Sequence, residues 1–242
     1  MDSSKLRLEY TYNHTGQADN NGNLLTQKIT IGSTVIDQSY SYDAINRLSS
    51  AQETVSSATR WTQTYGYDRW ANRASLVNSG PDSALFPTQS TPPVNSSTNR
   101  LTGYTYDEAG NVRFDASGNS FTYDAENRML TSNVGGVAAS NFYDGDGRRV
   151  KKTVGNVTTL FVYDVGGRLI AEYATQQTAQ GGTSYLTPDH LGSVRVVTDS
   201  QGAVKSRRDY LPFGEEIAAG IGTRTVAMKY GEADGIRQRF TS

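Results

Sequence analysis

Three neighbouring side chains, Asp189, His190 and Ser193, are of the types that perform nucleophilic catalysis. In such a set the carboxylate orients the imidazole, and the imidazole takes the proton of the attacking hydroxyl. Adjacent residues of an extended strand point to opposite faces, so Asp189 would not orient His190 directly. The spacing favours a turn followed by a strand, and we predict no catalytic residue in this chain.

Acidic residues offer a second chemistry, because "YDGDGR" at residues 143–148 places Asp144 and Asp146 close to glycines. A calcium loop of the EF type needs oxygen ligands at alternate positions and a closing glutamate. No such glutamate follows, and the chain has no cysteine for a thiolate site. We therefore predict a turn here, with no metal site and no cofactor.

The charge balance argues against nucleic acid as a partner. Lys and Arg total 23 against 24 Asp and Glu, for a net charge of −1. There are two basic clusters, "GRRVKK" at 147–152 and "KSRR" at 205–208. On a strand, their side chains would divide between the two faces, so we predict that they form a solvated sheet surface.

No apolar run reaches the about 18 residues of a membrane span, and "MDSSKLRLEY" lacks the apolar core of a signal peptide.

A Tyr-Asp dipeptide recurs along the chain with a basic period of about 20 residues. The copies are Tyr42-Asp43, Tyr67-Asp68, Tyr106-Asp107, Tyr123-Asp124, Tyr143-Asp144 and Tyr163-Asp164. Most copies have a second aromatic residue two positions before the Tyr, on the same face of a strand. The Asp side chain can bond the backbone two residues on and end the strand. A residue with positive φ is expected next, at Asn46, Asn72, Gly110, Asn127, Gly147 and Gly167.

Dipeptides that begin with glycine mark the opposite end of the repeats. Gly32-Ser33, Gly135-Gly136 and Gly155-Asn156 lie between strand-forming residues, as in two-residue hairpin turns. Residues 101–173 therefore predict a continuous antiparallel meander. We expect an all-β chain with a repeat region over 1–175, a surface loop rich in Pro and Ser inserted at 79–98, and a C-terminal segment over 176–242 continuous with the same sheet.

These motifs resemble a known family. "YDAENRML", "YDAINRLSS", "YDRWANR" and "YDEAGNV" are similar to the YD repeats of bacterial Rhs proteins, Tc toxin C components and teneurins. Residues 185–216, "YLTPDHLGSVRVVTDSQGAVKSRRDYLPFGEE", resemble the Rhs-repeat-associated core. The residues that match this core are Asp189, His190, Leu191, Gly192, Ser193, Tyr210, Pro212, Phe213 and Gly214.

The resemblance implies a spiralling sheet that forms part of a hollow shell or barrel around a C-terminal polymorphic toxin. Its implied partners are that cargo, the remaining shell segments and components of a secretion system. It also implies that the chain is secreted or delivered to a cell surface without a signal peptide, after a cytoplasmic stage. The family's self-cleavage segment is not found, so the resemblance implies no enzyme activity here, and we expect a truncated member or fragment.

A second hypothesis starts from the 15 tyrosines of the chain. Rows of tyrosine with polar tips can stack on sugar rings, which would make the chain an extracellular carbohydrate-binding or adhesion module. In the alternative interpretation, the same rings pack between neighbouring hairpins.

Overall fold

The computed structural model describes residues 6–14, 16, 19–87, 93–176, 183–236 and 240. Nearly all of the regular structure is antiparallel β-sheet, which confirms the predicted fold class of β-hairpins. The chain divides into two compact units, which we describe separately: the first comprises residues 1–91 and 182–242, and the second residues 92–181. Among the described residues, no helix is long and apolar enough to span a bilayer.

The first unit contains a six-stranded sheet in which each strand pairs with the next along the chain. Its strands are β1 (Leu6–Thr11), β2 (Thr26–Ile31), β3 (Thr34–Tyr42), β4 (Leu48–Val55), β5 (Ala58–Tyr67) and β6 (Arg73–Ser79). Buried and exposed residues alternate on β2 and β3, so one face of this sheet is covered and the other is solvated.

The second unit holds an eight-stranded meander and a two-stranded sheet. The two-stranded sheet is β7 (Val94–Asn95) with β8 (Arg100–Leu101). The meander is β9 (Thr105–Tyr106), β10 (Val112–Phe114), β11 (Ser120–Tyr123), β12 (Met129–Val134), β13 (Val137–Tyr143), β14 (Arg149–Val154), β15 (Val157–Tyr163) and β16 (Leu169–Ala174). This agrees with the meander predicted from the alternating turns.

The C-terminal part of the first unit forms a sheet of its own from β17 (Tyr185–Pro188), β18 (Val194–Thr198) and β19 (Val204–Arg207). In the described part of the chain its three strands pair with one another, and Arg207 of β19 also forms an isolated parallel bridge with Tyr230. Short 3-10 helices span Ser83–Leu85 and Val226–Met228. The segment packs on the six-stranded sheet through side chains.

The hairpin glycines lie at the predicted turns. Val134 pairs with Val137, and both Gly135 and Gly136 have positive φ, as this tight turn requires. Gly32 and Gly155 also have positive φ, between the paired ends of β2 and β3 and of β14 and β15.

A single turn type joins strands at the other end of the repeats. The amide of an Asp donates to the carbonyl four residues on, and its own carbonyl accepts from the amide three residues on. Nine Asp residues adopt this pattern: Asp43, Asp68, Asp107, Asp115, Asp124, Asp144, Asp164, Asp189 and Asp199. We call it the Asp turn. Three copies, at Asp115, Asp189 and Asp199, have no preceding Tyr, so the turn continues beyond the last Tyr-Asp dipeptide.

One predicted backbone position is wrong. The Asp68 turn was expected to place Asn72 in the left-handed region, but the residue with positive φ is Ala71, at +67°. The turn requires this conformation three residues after the Asp, and Asn72 lies at the fourth position. There its Nδ2 donates to Asp68 Oδ2 over 2.9 Å.

Two apolar clusters fill the space between the six-stranded sheet and the C-terminal segment. In the first, Trp61 and Tyr65 of β5 pack with Leu211, Ile217 and Ile221. In the second, three isoleucines of β2 and β3 surround Tyr230, and their positions are Ile29, Ile31 and Ile36. The segment therefore covers the apolar face that β1 to β6 would otherwise expose.

Within the predicted surface loop at 79–98, residues 79–81 are exposed, but Asp82 is buried. Asp82 is only 4% exposed and its carboxylate accepts two bonds from Arg60, at 2.6 and 2.9 Å. Phe86 lies edge-on to Trp61 at 5.5 Å. Residues 88–92 of the predicted loop lie outside the described residues.

Candidate functional site

A buried network of charged side chains lies where the C-terminal segment meets the six-stranded sheet. Glu53 of β4 lies on the covered face, because it is two residues from buried Ala51 and side chains two apart on a strand share a face. Arg195 comes from β18, and Asp209 and Arg224 come from the irregular chain after β19. We call these four residues the ionic anchor, and each is at most 5% exposed.

Arg224 joins the two sides of the anchor. Its Nη1 and Nη2 donate to the two oxygens of Glu53 at 2.9 and 2.8 Å. Its Nε donates to Asp209 Oδ2 at 2.6 Å. Arg195 Nη2 donates to the other oxygen, Asp209 Oδ1. Arg224 therefore faces Glu53 in the paired geometry that strengthens such bonds, while Arg195 makes one bond to Asp209 and donates its Nε to the carbonyl of Arg208 at 3.0 Å.

Neutral side chains complete the hydrogen bonding of these carboxylates. Gln38 Nε2 donates to Glu53 Oε2 at 2.8 Å, and Tyr40 donates its hydroxyl proton to Gln38 Oε1 at 2.9 Å. Tyr230 donates to Asp209 Oδ2 at 2.9 Å. Charges taken out of water are tolerated when their remaining lone pairs and protons are satisfied, as they are here.

The proton affinities reflect this environment. Burial by itself would raise the pKa of Asp209, but the positive charges of Arg224 and Arg195 outweigh it and lower that pKa to about 2. Burial raises the pKa of Tyr230, and the neighbouring Asp209 raises it further. Burial likewise raises the pKa of Tyr40. Asp209 is therefore ionised at physiological pH, and Tyr40 and Tyr230 beside the ionic anchor are neutral.

Two further contacts hold the segment. Arg208 Nη2 donates to both oxygens of buried Asp234 at 2.6 and 2.5 Å, and Ser206 also donates to this carboxylate. Asp82, already bonded to Arg60, accepts a bond from the backbone amide of Gly222 at 2.6 Å. Asp82, in the loop after β6, thus links the segment to Arg60 of β5.

Asp189, His190 and Ser193, whose side-chain types could perform nucleophilic catalysis, lie in an Asp turn. Asp189 Oδ1 accepts the amides of Leu191 and Ser193, each at 3.0 Å, and its Oδ2 faces Arg195 Nη1 at 3.3 Å. His190 points elsewhere: its Nε2 lies 3.1 Å from the hydroxyl of Tyr12, and its ring lies 4.3 Å from that of Tyr10. Asp189 thus closes the turn, while His190 contacts Tyr10 and Tyr12.

The other core-motif residues lie nearby. Tyr210 donates to the carbonyl of Val194 at 2.9 Å. Phe213 packs against Tyr65 at 5.0 Å, in the short turn that also contains Pro212. Gly214 has a φ of +98°, and a Cβ there would lie 2.6 Å from the ring of Phe240. Gly192 supplies the positive φ of the Asp189 turn, and Leu191 is exposed.

The Tyr-Asp pairs connect one repeat to the next. Tyr42, Tyr67, Tyr143 and Tyr163 each donate to a backbone carbonyl of the preceding repeat, at 2.7 to 3.0 Å. Arg47 and Arg128, which follow Asp turns, stack on Tyr67 and Tyr143 of the next repeat at 4.7 and 5.1 Å.

Two Tyr-Asp pairs differ from this pattern. The hydroxyl of Tyr106 accepts a hydrogen bond from the amide of Leu101, and the carboxylate of Asp107 accepts one from Asn111 Nδ2. Tyr123 is half-buried beside the Asp124 turn.

The described residues hold no group of three or more His, Cys, Asp or Glu side chains that could bind a metal ion. At "YDGDGR", Asp144 Oδ1 accepts the amides of Asp146 and Arg148, at 3.0 and 2.8 Å. Asp146 itself faces Arg148 Nη2 at 3.3 Å. The first carboxylate is therefore used by its own turn.

Sequence reasoning missed the ionic anchor. A usable signal was present for Glu53, since it shares a strand face with Ala51 and would be expected to point inward. No local pattern identifies Arg224, because its partner Glu53 is 171 residues away and no regular element surrounds it.

Neither the models of protein families nor the curated proteins contain a match to this chain. Several solved structures do match this chain. The crystal structure of TcdB2-TccC3-Cdc42 matches at a TM-score of 0.56 and 15% identity, and the crystal structure of TcdB2-TccC3 at 0.57 and 16%. The Photorhabdus luminescens Tc holotoxin pore, with a mutation in TccC3, matches at 0.56 and 16%. Each match covers 88% of this chain and 15% of the other. The chain thus has a fold similar to part of these Tc toxin chains, and it spans 15% of their length.

Proposed function

We propose that this chain is a non-enzymatic scaffold that forms part of a β-sheet wall around a C-terminal toxin cargo. The observation that carries the proposal is the likeness of the fold to the Tc toxin chains, together with the Tyr-Asp repeats. The proposal includes the secreted or surface-delivered location, with the cargo or further wall segments as partners. Residues 1–175 would supply the repeat wall and residues 176–242 a core-like segment.

The arrangement of the first unit supports a mechanical role. Buried salt bridges are poor sources of stability, but they fix one geometry because any other leaves a charge unpaired in the interior. The ionic anchor would thus hold the C-terminal segment at one place on the sheet. The Tyr and Arg contacts between repeats would do the same for neighbouring hairpins. A wall needs this constancy of shape more than it needs reactive groups.

The carbohydrate-binding alternative is not favoured by the positions of the tyrosines. Tyr42 and Tyr67 are half-buried, and their hydroxyls donate to backbone carbonyls at 3.0 and 2.7 Å. Their polar tips are therefore used within the sheet. A glycan array that compares the protein with its Tyr42→Ala and Tyr67→Ala variants tests this directly, and we expect no glycan signal that the two substitutions remove.

The scaffold proposal is tested with a protease-sensitive unfolded reporter fused after Ser242. We expect the reporter to be cleaved at least about tenfold more slowly on this chain than on an unrelated folded carrier, since a wall shields what lies behind it. A Glu53→Gln variant, with its segment loosened, should lose part of that protection. Equal cleavage on this chain and on the carrier would contradict encapsulation.

A further inference from the structure

The nine Asp turns provide an internal comparison, because the same backbone is built from different residues. The informative position is the second residue after the Asp, whose amide faces the Asp carboxylate in most copies. In the second unit this position holds Ala109, Ser117, Glu126, Asp146 and Gly166. In the first unit it holds Ile45, Trp70, Leu191 and Gln201. Large apolar residues therefore occur there only in the first unit.

Folding does not account for this difference. The turn forms equally with Ala, Ser, Glu, Asp or Gly at this position, so its geometry makes no demand for an apolar side chain. Ile45, Trp70 and Leu191 are also 68%, 48% and 59% exposed, so they contribute little to the core. Apolar residues gathered at exposed turns usually mark a surface that is covered during function.

The three side chains belong to turns on one edge of the first unit. Arg47 Nη1 of the Ile45 turn contacts the carbonyl of Asp68 in the Trp70 turn at 3.4 Å. On the other side, Asn46 accepts from Asn21 and Asn23 of the loop after β1. The same loop reaches the Leu191 turn, where Tyr12 meets His190. We call Ile45, Trp70 and Leu191 the apolar rim.

Three charged residues, Asp43, Asp68 and Arg69, lie beside the apolar rim in the sequence. Asp43 and Asp68 turn their carboxylates into their own turns, where each accepts backbone amides and a side-chain donor. Arg69 is exposed, and its guanidinium lies over the ring of Trp70 at 4.8 Å from the ring centre. The rim therefore has the exposed cation Arg69 next to its apolar side chains, and after the hydrogen bond from Asn72 the same charge helps to lower the pKa of Asp68.

We propose that the apolar rim inserts into the interfacial region of a phospholipid bilayer, with Arg69 contacting lipid phosphates. Tryptophan prefers this region because its ring is apolar and its N–H is polar. Arginine binds phosphate oxygens with two parallel hydrogen bonds. Separate protruding tips suit a soft, planar surface. The inference is independent of the scaffold role, since it concerns the outside of three turns.

The chain's two tryptophans allow a direct test in the full-length protein. Trp61 is fully buried, so a change in emission on adding vesicles reports Trp70. We expect a blue shift and co-sedimentation with phosphatidylcholine vesicles, and stronger binding when phosphatidylglycerol is added. Brominated lipid should quench the shifted emission.

Matched variants separate insertion from other causes. Ile45→Ser and Leu191→Ser should each lower the partition coefficient by about tenfold, because each removes one buried apolar side chain. Val165→Ser, at an exposed turn of the second unit, should leave it unchanged. Co-sedimentation that the two rim variants do not reduce would overturn the proposal, as would no binding to either vesicle. A concentration-dependent blue shift without lipid would show a contact between protein copies instead, and would also overturn it.

Discussion

Arg224 forms a two-point ion pair with Glu53 across 171 residues of sequence, and both side chains are completely buried. Because both side chains are completely buried, water has no access to either charge. It connects a strand of the first sheet with the irregular end of the C-terminal segment. The position of the segment on the sheet is thus specified by charge as well as by apolar packing.

We expect Glu53→Gln to destabilise the first unit by about 3 kcal/mol, because it leaves Arg224 buried with one of its two carboxylate partners removed. Urea unfolding followed by tryptophan emission measures this, since both tryptophans lie in the first unit. The matched control is Glu9→Gln, which breaks an exposed pair with Arg7 in the same sheet. It should cost less than about 0.5 kcal/mol. Similar costs for the two variants would contradict a role for the buried pair.

Acid should weaken the same interface through Asp209. Its pKa is lowered from 3.8 to about 2 in the folded protein, so the unfolded chain takes up a proton first as the pH falls. Its contribution is fully present above pH 4 and is lost on acidification towards pH 2. At about 1.4 kcal/mol per pH unit, the difference between 3.8 and 2 corresponds to about 2 kcal/mol.

Stability curves of the protein and of Asp209→Asn between pH 5 and pH 2 check this expectation. Other carboxylates with lowered pKa, such as Asp43 and Asp68, titrate in the same range and are common to both proteins. The variant should be less stable at pH 5 but should lose about 2 kcal/mol less on acidification. Parallel curves would show that Asp209 is not the group responsible.

The local features of this fold were predictable because their causes are local. An Asp followed by a residue that accepts positive φ closes a turn by itself, and a Gly pair between strand formers closes a hairpin. The turns at Asp115 and Asp199 were not predicted, because no Tyr precedes either Asp. The spacing from each Asp to Gly118 or Gly202 would have identified them.

The docking of the C-terminal segment was not predictable for the opposite reason. Its partners, Glu53 and Asp82, are 171 and 140 residues from the groups that they bind, and no periodic pattern connects them. The many Pro and Ser residues around Asp82 predict a surface loop, so its burial could not be expected from composition. Only the three-dimensional pairing of charges explains why that loop is held inward.

Ala71 offers a gain in stability. A non-glycine residue in the left-handed region is strained by about 1 to 2 kcal/mol, and Ala71 has a φ of +67°. Ala71→Gly should stabilise the first unit by about 0.5–1 kcal/mol after the entropy cost of glycine is counted. The control Ala74→Gly, on exposed β6, should destabilise it by a similar amount. Urea unfolding distinguishes the two signs, and a loss of stability for Ala71→Gly would contradict the assigned turn.

The turn at Asp124 tests whether the repeated carboxylate closes the hairpins of the second unit. Its Oδ1 accepts the amides of Glu126 and Arg128, both at 2.9 Å, and Oδ2 accepts Arg128 Nε at 2.7 Å. Asp124→Ala removes all three bonds, so amide exchange at Glu126 and Arg128 should accelerate about tenfold, as the loss of a side-chain cap does at a helix end. Asp124→Asn retains an acceptor oxygen. It should change the logarithm of the amide exchange rate by less than half as much as Asp124→Ala does. Glu126→Ala, which removes only an exposed pairing with Arg128, should leave it nearly unchanged. If Asp124→Ala exchanged at the rate of Glu126→Ala, the turn would be held by its backbone alone, and the repeated aspartate would have another purpose.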